Sequence, residues 1–106
     1  MNNTPLELLK ALNRFVESMF KRLLDNVHKS HWSVEPCNRE FLMSELEKRV
    51  QQLKDMHPYT NGDLISFTEK CADIANFSMM LADNYRNGRY NLKGDFGKDD
   101  LDGIPY

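Results

Sequence analysis

DLISFTEKCADIANFSMMLADNYR, residues 63–86, is the stretch on which the fold turns. Wound at 3.6 residues per turn, its apolar residues lie nearly all round the axis. Leu64, Phe67, Cys71, Ala72, Ile74, Met79 and Leu81 share no single face. A run of this length without strand-period alternation predicts a helix. Apolar residues on every side predict that other helices, or a partner subunit, wrap it. Asp63 is expected to cap this helix near Leu64, and Asn87-Gly88 to close it at about Arg86.

Working outward towards the N-terminus, Tyr59-Thr60-Asn61-Gly62 reads as a turn, and His57-Pro58 ends whatever precedes it. Asn38 is placed to cap a second helix that runs to about Met56, with a stripe of Leu42, Leu46, Val50 and Leu53. A connection containing His31, Trp32, Pro36 and Cys37 separates it from a first helix. That first helix opens on Thr4-Pro5-Leu6-Glu7, a capping box with proline at the first helical position. Leu8, Leu12, Phe15, Val16, Met19, Phe20, Leu23 and Leu24 recur at spacings of three and four until about His28. Lys10, Arg14, Glu17, Lys21, Arg22 and Asp25 fall mostly off that stripe and read as a solvated face.

No strand-period run and no internal repeat occurs, so the expected class is all-α. The chain divides into a helical domain over residues 1–90 and an acidic arm rich in Gly and Asp over 91–106. That arm is expected to be ordered only if it packs on something. Three amphipathic helices present more apolar surface than a chain of 106 residues can hide, because small domains bury a smaller fraction of their surface. The bundle is therefore expected to be completed by homo-oligomerisation.

Charge narrows the partners. Fourteen Lys and Arg against sixteen Asp and Glu give −2, without the strongly basic balance of a DNA or RNA binder. The deficit sits in the tail: Lys93 and Lys98 against Asp95, Asp99, Asp100 and Asp102 leave the preceding residues neutral. No apolar run is long enough to span a membrane, and Met1–Pro5 has neither the charged nor the apolar region of a secretory signal. Cys37 and Cys71 are too few for a disulfide framework or a zinc site, so the expected compartment is the cytoplasm, with both thiols reduced.

Chemistry concentrates on the third helix. Glu69, Asp73 and Asn76, spaced by four and three, stack on one face among apolar neighbours. Carboxylates there need either a divalent cation such as Mg²⁺, with Glu69 and Asp73 as ligands, or a Lys or Arg partner from the second helix. His28, His31 and His57 share no ligand pattern with them, and Cys71, Phe77, Met79 and Met80 read as core or subunit interface. Trp32 is either a nucleobase-stacking platform or a packing lid. Tyr85, Arg86, Arg89 and Tyr90 could reach a ligand or form a solvated helix exit.

Leu46-Glu47-Lys48-Arg49-Val50-Gln51-Gln52-Leu53 followed by Glu69-Lys70-Cys71-Ala72-Asp73-Ile74-Ala75-Asn76-Phe77 resembles the two core helices of MazG-like nucleotide pyrophosphohydrolases. The phage and bacterial branch is the most similar in appearance, and the likeness runs from about Trp32 to Tyr85. The resemblance implies an α-helical dimer or tetramer that hydrolyses nucleoside triphosphates with Mg²⁺. It also implies metal ligands in a Glu-Glu-x-x-Glu motif on one helix and a Glu-x-x-Asp motif on the next. Here Lys48 and Arg49 stand at the paired glutamates, Gln52 at the third and Lys70 at the glutamate of the second motif; Asp73 alone matches.

Cations at those positions repel a metal yet suit phosphate oxygens, which Arg contacts in bidentate fashion. The expected function is therefore a non-catalytic nucleotide-binding protein without a cofactor. As a phage protein it would be a sponge for a nucleotide immune signal of the cyclic oligonucleotide or cyclic ADP-ribose type. Lys48, Arg49, Gln52, Lys70, Asp73, Asn76 and Trp32 are the candidate ligand-binding residues. One alternative is a Mg²⁺-dependent pyrophosphohydrolase whose rearranged site uses Glu45, Glu47, Glu69 and Asp73. Another is a protein-interaction module that binds no nucleotide.

Overall fold

A computed structural model describes residues 2–26, 32 and 38–90. Three α-helices make up the fold: α1 (Pro5–Asp25), α2 (Arg39–Lys54) and α3 (Asn61–Arg86), with no strand among the described residues. The all-α expectation holds. The first helix closes earlier than the expected end near His28: Asn26 is its C-cap, with its N–H donating to the Leu23 and Leu24 carbonyls. Val27, His28 and the arm over 91–106 lie outside the described residues.

Each helix begins where its cap satisfies backbone N–H groups that have no partner inside the helix. At α1 the Thr4 hydroxyl accepts from the Glu7 N–H (3.2 Å) while the Glu7 carboxylate accepts from the Thr4 N–H (2.8 Å). At α2 the Asn38 side-chain oxygen accepts from the Phe41 N–H at 2.8 Å. At α3 the cap is Thr60, not Asp63: its hydroxyl accepts from the Asp63 N–H at 3.0 Å. Asp63 answers from the third helical position, where Oδ2 accepts from the N–H groups of Tyr59 and Thr60, both at 3.2 Å. Those two backbone donors hold the Asp63 carboxyl below its ordinary value. The helix thus starts at Asn61, three residues before Leu64.

The far end of α3 closes on Gly88, whose φ of +68° is open to glycine and strained for other residues. There the N–H groups of Asn87, Gly88 and Arg89 donate to the carbonyls of Asp83, Tyr85 and Asn84, at 2.9–3.1 Å.

Residues 55–60 turn α2 back on α3 as an antiparallel pair, and α1 packs on another flank of α3. Along α1 the contacts run Met19 to Asn76 and Arg22 to Asp73 and Glu69, so α1 is also antiparallel to α3. Helix α3 is therefore the shared element, as its distribution of apolar residues demands. Its N-terminal Leu64 and Ile65 nonetheless stay exposed.

The core is thin. Among the described residues Leu42 and Ala72 are the buried apolar side chains, and Asn76 and Asn84 the buried polar ones. Leu46, Val50, Leu53, Phe67, Phe77 and Met80 are half-buried. On α1, Leu9, Leu12, Val16, Phe20 and Leu24 are exposed, Phe20 by 61%. No helix among the described residues is long and apolar enough to cross a membrane.

Candidate functional site

The residues singled out by sequence separate into three places along α3. The first is its flank against α1. Arg22 lies in register with Phe15 and Met19, at spacings of four and three, which turns its guanidinium onto α3 rather than into solvent. There Nε donates to Asp73 Oδ1 at 2.9 Å and Nη2 to Asp73 Oδ2 at 3.0 Å, a bidentate pair. Nη1 reaches Glu69 Oε2 at 3.3 Å. The Asp73 carboxylate raises the Arg22 pKa above its ordinary value, against a smaller opposing effect of burial. A cation does meet Asp73, as one sequence alternative required, but it comes from α1 and not α2. Both carboxylates that could hold a metal are committed to it, and no group of three His, Cys, Asp or Glu suited to a metal occurs among the described residues.

One turn further on, Asn76 is 3% exposed, and its Nδ2 donates to the Met19 carbonyl at 3.0 Å. Its Oδ1 is buried with no donor among the described residues. An unpaired buried acceptor costs about 1–3 kcal/mol. The position therefore suits a water or a ligand N–H.

The second place is the flank against α2, where Lys48, Arg49, Gln52 and Lys70 gather without merging into one cluster. Lys70 Nζ donates to Gln52 Oε1 at 2.8 Å, across the two helices. Lys48, one turn before Gln52 on α2, is exposed. Arg49 is turned away from them: Nη1 pairs with Glu45 Oε1 at 3.0 Å and the guanidinium lies 4.8 Å from the centre of the Phe77 ring. The Lys70 ammonium thus bonds the Gln52 amide at the α2–α3 seam, while Arg49 is held by the Glu45 carboxylate and the Phe77 ring. Glu45, a metal ligand under the enzyme alternative, is the carboxylate so engaged.

The third place is the C-terminal end of α3, about 15 Å of helix rise beyond Asp73. The Trp32 indole N–H donates to Asp83 Oδ2 at 3.0 Å, and the Trp32 carbonyl accepts from Asn84 Nδ2 at 2.9 Å. The same Nδ2 reaches the Tyr90 hydroxyl at 2.8 Å, while Arg89 Nη1 donates to Asp83 Oδ2 and Asn84 Oδ1 at 2.9 and 3.0 Å. The Tyr85 and Tyr90 rings stand edge to face, 5.0 Å apart. Chiefly through the indole N–H, Asp83 is held below its ordinary carboxyl value. Trp32 is thus tied by hydrogen bonds to this end of α3, remote from Lys70 and Asp73. Asn84, which is 1% exposed, is the centre of the network.

Sequence reasoning missed Arg22 and Asn84. Arg22 was legible, because counting back from it by three and seven lands on Met19 and Phe15. Asn84 carries no such signal: its partner Trp32 is 52 residues away. Burial raises the Cys71 thiol above its ordinary value, in keeping with a packing role.

Comparison with protein-family models, with curated proteins and with solved structures returns no match.

Proposed function

We propose that the chain is a non-catalytic nucleotide-binding protein on a MazG-like scaffold, working in the cytoplasm as a subunit of a homo-oligomer. It holds an anionic nucleotide of the cyclic oligonucleotide or cyclic ADP-ribose type, needs no cofactor, and acts as a sponge that keeps such a signal from its receptor. DNA, RNA and membranes are not its partners.

The observation that carries this reading is the Arg22 clamp. With Asp73 held through both oxygens and Glu69 through one, a divalent cation would have to displace a bidentate guanidinium before it could bind. Glu45 is likewise engaged by Arg49. Cation chemistry is kept at the α2–α3 seam, where the Lys48 and Lys70 ammonium groups can meet phosphate oxygens and Gln52 can donate once Lys70 turns to the ligand. The free Oδ1 of Asn76 adds an acceptor on the neighbouring flank.

A second reading, a protein-interaction module that binds no nucleotide, is favoured by the open apolar face of α1. One experiment separates these readings from the pyrophosphohydrolase. The protein is incubated with nucleoside triphosphates, cyclic dinucleotides and ADP-ribose derivatives in Mg²⁺ or in EDTA, then resolved by chromatography before and after heating. Intact nucleotide released only on denaturation is the expected result. Mg²⁺-dependent pyrophosphate release would overturn it in favour of the enzyme. No retention of any nucleotide would overturn it in favour of the interaction module.

A further inference from the structure

Helix α1 carries an apolar face separate from its contact with α3. Phe15, Met19 and Arg22 face α3 and are half-buried. Leu6, Leu9, Val16, Phe20 and Leu24 lie about 120° round the helix from that contact, and all five are about half exposed or more. From Leu6 to Leu24 the face runs about 27 Å along the axis. Among the described residues only Leu42 and Ala72 are buried apolar side chains, so a face of this length exceeds what scattered surface leucines account for.

Its border remote from α3 is basic. Lys10, Arg14 and Lys21 stand there with one carboxylate, Glu17, and all four are exposed. None of them makes an ion pair among the described residues. The other α1 carboxylates lie further round: Glu7 serves the N-terminal cap and Asp25 is 3.9 Å from Arg22. A second copy lying on the face would bring a border of the same sign. Residues 91–106 bring the opposite one, with Asp95, Asp99, Asp100 and Asp102 against Lys93 and Lys98. Three cations to one carboxylate on the border thus meet four carboxylates to two cations in the arm, a match of net sign that needs no register. Between its aspartates the arm also carries Phe96 and Leu101, with Leu92, Ile104 and Tyr106 flanking them.

Reach agrees with charge. Met19 beside Asn76 and Arg22 beside Asp73 fix an antiparallel register that brings Arg86 to the level of Leu9. Tyr90, bonded to Asn84, therefore sits near the N-terminal end of the face, and residues 91–106 continue from there. Fully extended, they reach up to about 53 Å. That is twice the length of the face, enough to cross to it and run along it. We propose that residues 91–106 are the occupant of this face. Their apolar side chains cover Leu9, Val16 and Phe20, and their aspartates follow Lys10, Arg14 and Lys21, so that one chain closes its own bundle. The inference concerns this face alone and rests on neither nucleotide binding nor self-association.

Carbodiimide cross-linking of the whole chain tests the occupant without any substitution. The expected result is Lys10 or Lys21 joined to an aspartate of 91–106 in material that runs as a single chain on a denaturing gel. Such joins only in two-chain material overturn the proposal in favour of a second copy, and no such join overturns it in favour of another protein. Phe20→Asp, which sets a charge within the apolar face, is expected to lower the yield of those joins at least ~3-fold. An unchanged yield would mark a tether drawn in by charge alone and overturns the apolar contact. Coverage is read separately with the dye ANS, which binds exposed apolar surface. Phe96→Ser/Leu101→Ser/Ile104→Ser alters the arm alone and is expected to raise dye fluorescence at least ~3-fold over the parent chain, with far-UV circular dichroism unchanged. A parent chain that binds dye as strongly as the variant has an open face, and low binding by both means that something else covers it; either result overturns the proposal.

Discussion

Removing the Arg22 guanidinium tests the contact that joins α1 to the bundle. Its side chain is 27% exposed and that of Asp73 13%, so the pair lies between a surface ion pair and a fully buried one. Exposed pairs contribute about 0.2–1 kcal/mol, whereas breaking a buried pair costs about 3–5 kcal/mol. Two short hydrogen bonds to Asp73 and a longer one to Glu69 put Arg22→Ala at about 2 kcal/mol of lost stability. Most of that loss comes from leaving Asp73 without a partner, so Asp73→Asn in the Arg22→Ala background should recover part of it. A double-mutant cycle is then expected to give a coupling of about 1.5 kcal/mol. Urea unfolding followed by far-UV circular dichroism, at one fixed protein concentration, measures it. A coupling under about 0.5 kcal/mol would show that the pair behaves as an ordinary surface contact, too weak to keep a divalent cation from Asp73. Arg22→Lys is not a rescue, because an ammonium cannot reproduce the fork that meets both Asp73 oxygens.

Three further outcomes follow from the same geometry. Leu42→Ala, which empties the largest buried apolar position, should cost about 2–4 kcal/mol in the same unfolding assay. Gly88→Ala should cost about 1 kcal/mol through backbone strain alone, because φ is +68° and nothing lies within 4 Å of the added Cβ. Asp83 has its carboxyl lowered from 3.8, first by the Trp32 indole N–H, with burial opposing and Arg89 adding to the lowering. A depressed folded value means that the stabilisation is fully present above the unfolded value and is lost as pH falls through the folded one. Emission from Trp32, the single tryptophan, should therefore change with a midpoint below pH 3.8, and Asp83→Asn should abolish that transition.

Local signals carried the helices further than they carried the site. Thr4 and Glu7 declared a capping box, and the same rule applied to Thr60 and Asp63 would have moved the start of α3 from Leu64 to Asn61. Spacing placed Glu69, Asp73 and Asn76 on one face, as observed. It could not say which helix that face meets, since three- and four-residue periods are blind to the packing of one helix on another. Arg22 therefore read as a solvated charge although its register already put it beside Met19. Lys70 and Phe77 lie seven residues apart and both meet α2, yet Arg49 and Lys70 differ in fate. Arg49 has Glu45 one turn away on its own helix, whereas Lys70 bonds the Gln52 amide. The Trp32–Asp83–Asn84 lock joins segments about fifty residues apart through single hydrogen bonds. No periodicity records such a contact.

Titration of the parent chain and of the double variant Lys48→Glu/Lys70→Glu with a cyclic dinucleotide in EDTA, followed by calorimetry, bears most directly on the central claim. The expected result is metal-independent binding to the parent chain, weakened at least ~10-fold by the two charge reversals, with helical content unchanged. Binding that requires Mg²⁺, or binding indifferent to Lys48 and Lys70, would contradict the claim that cations have taken over the positions of metal ligands.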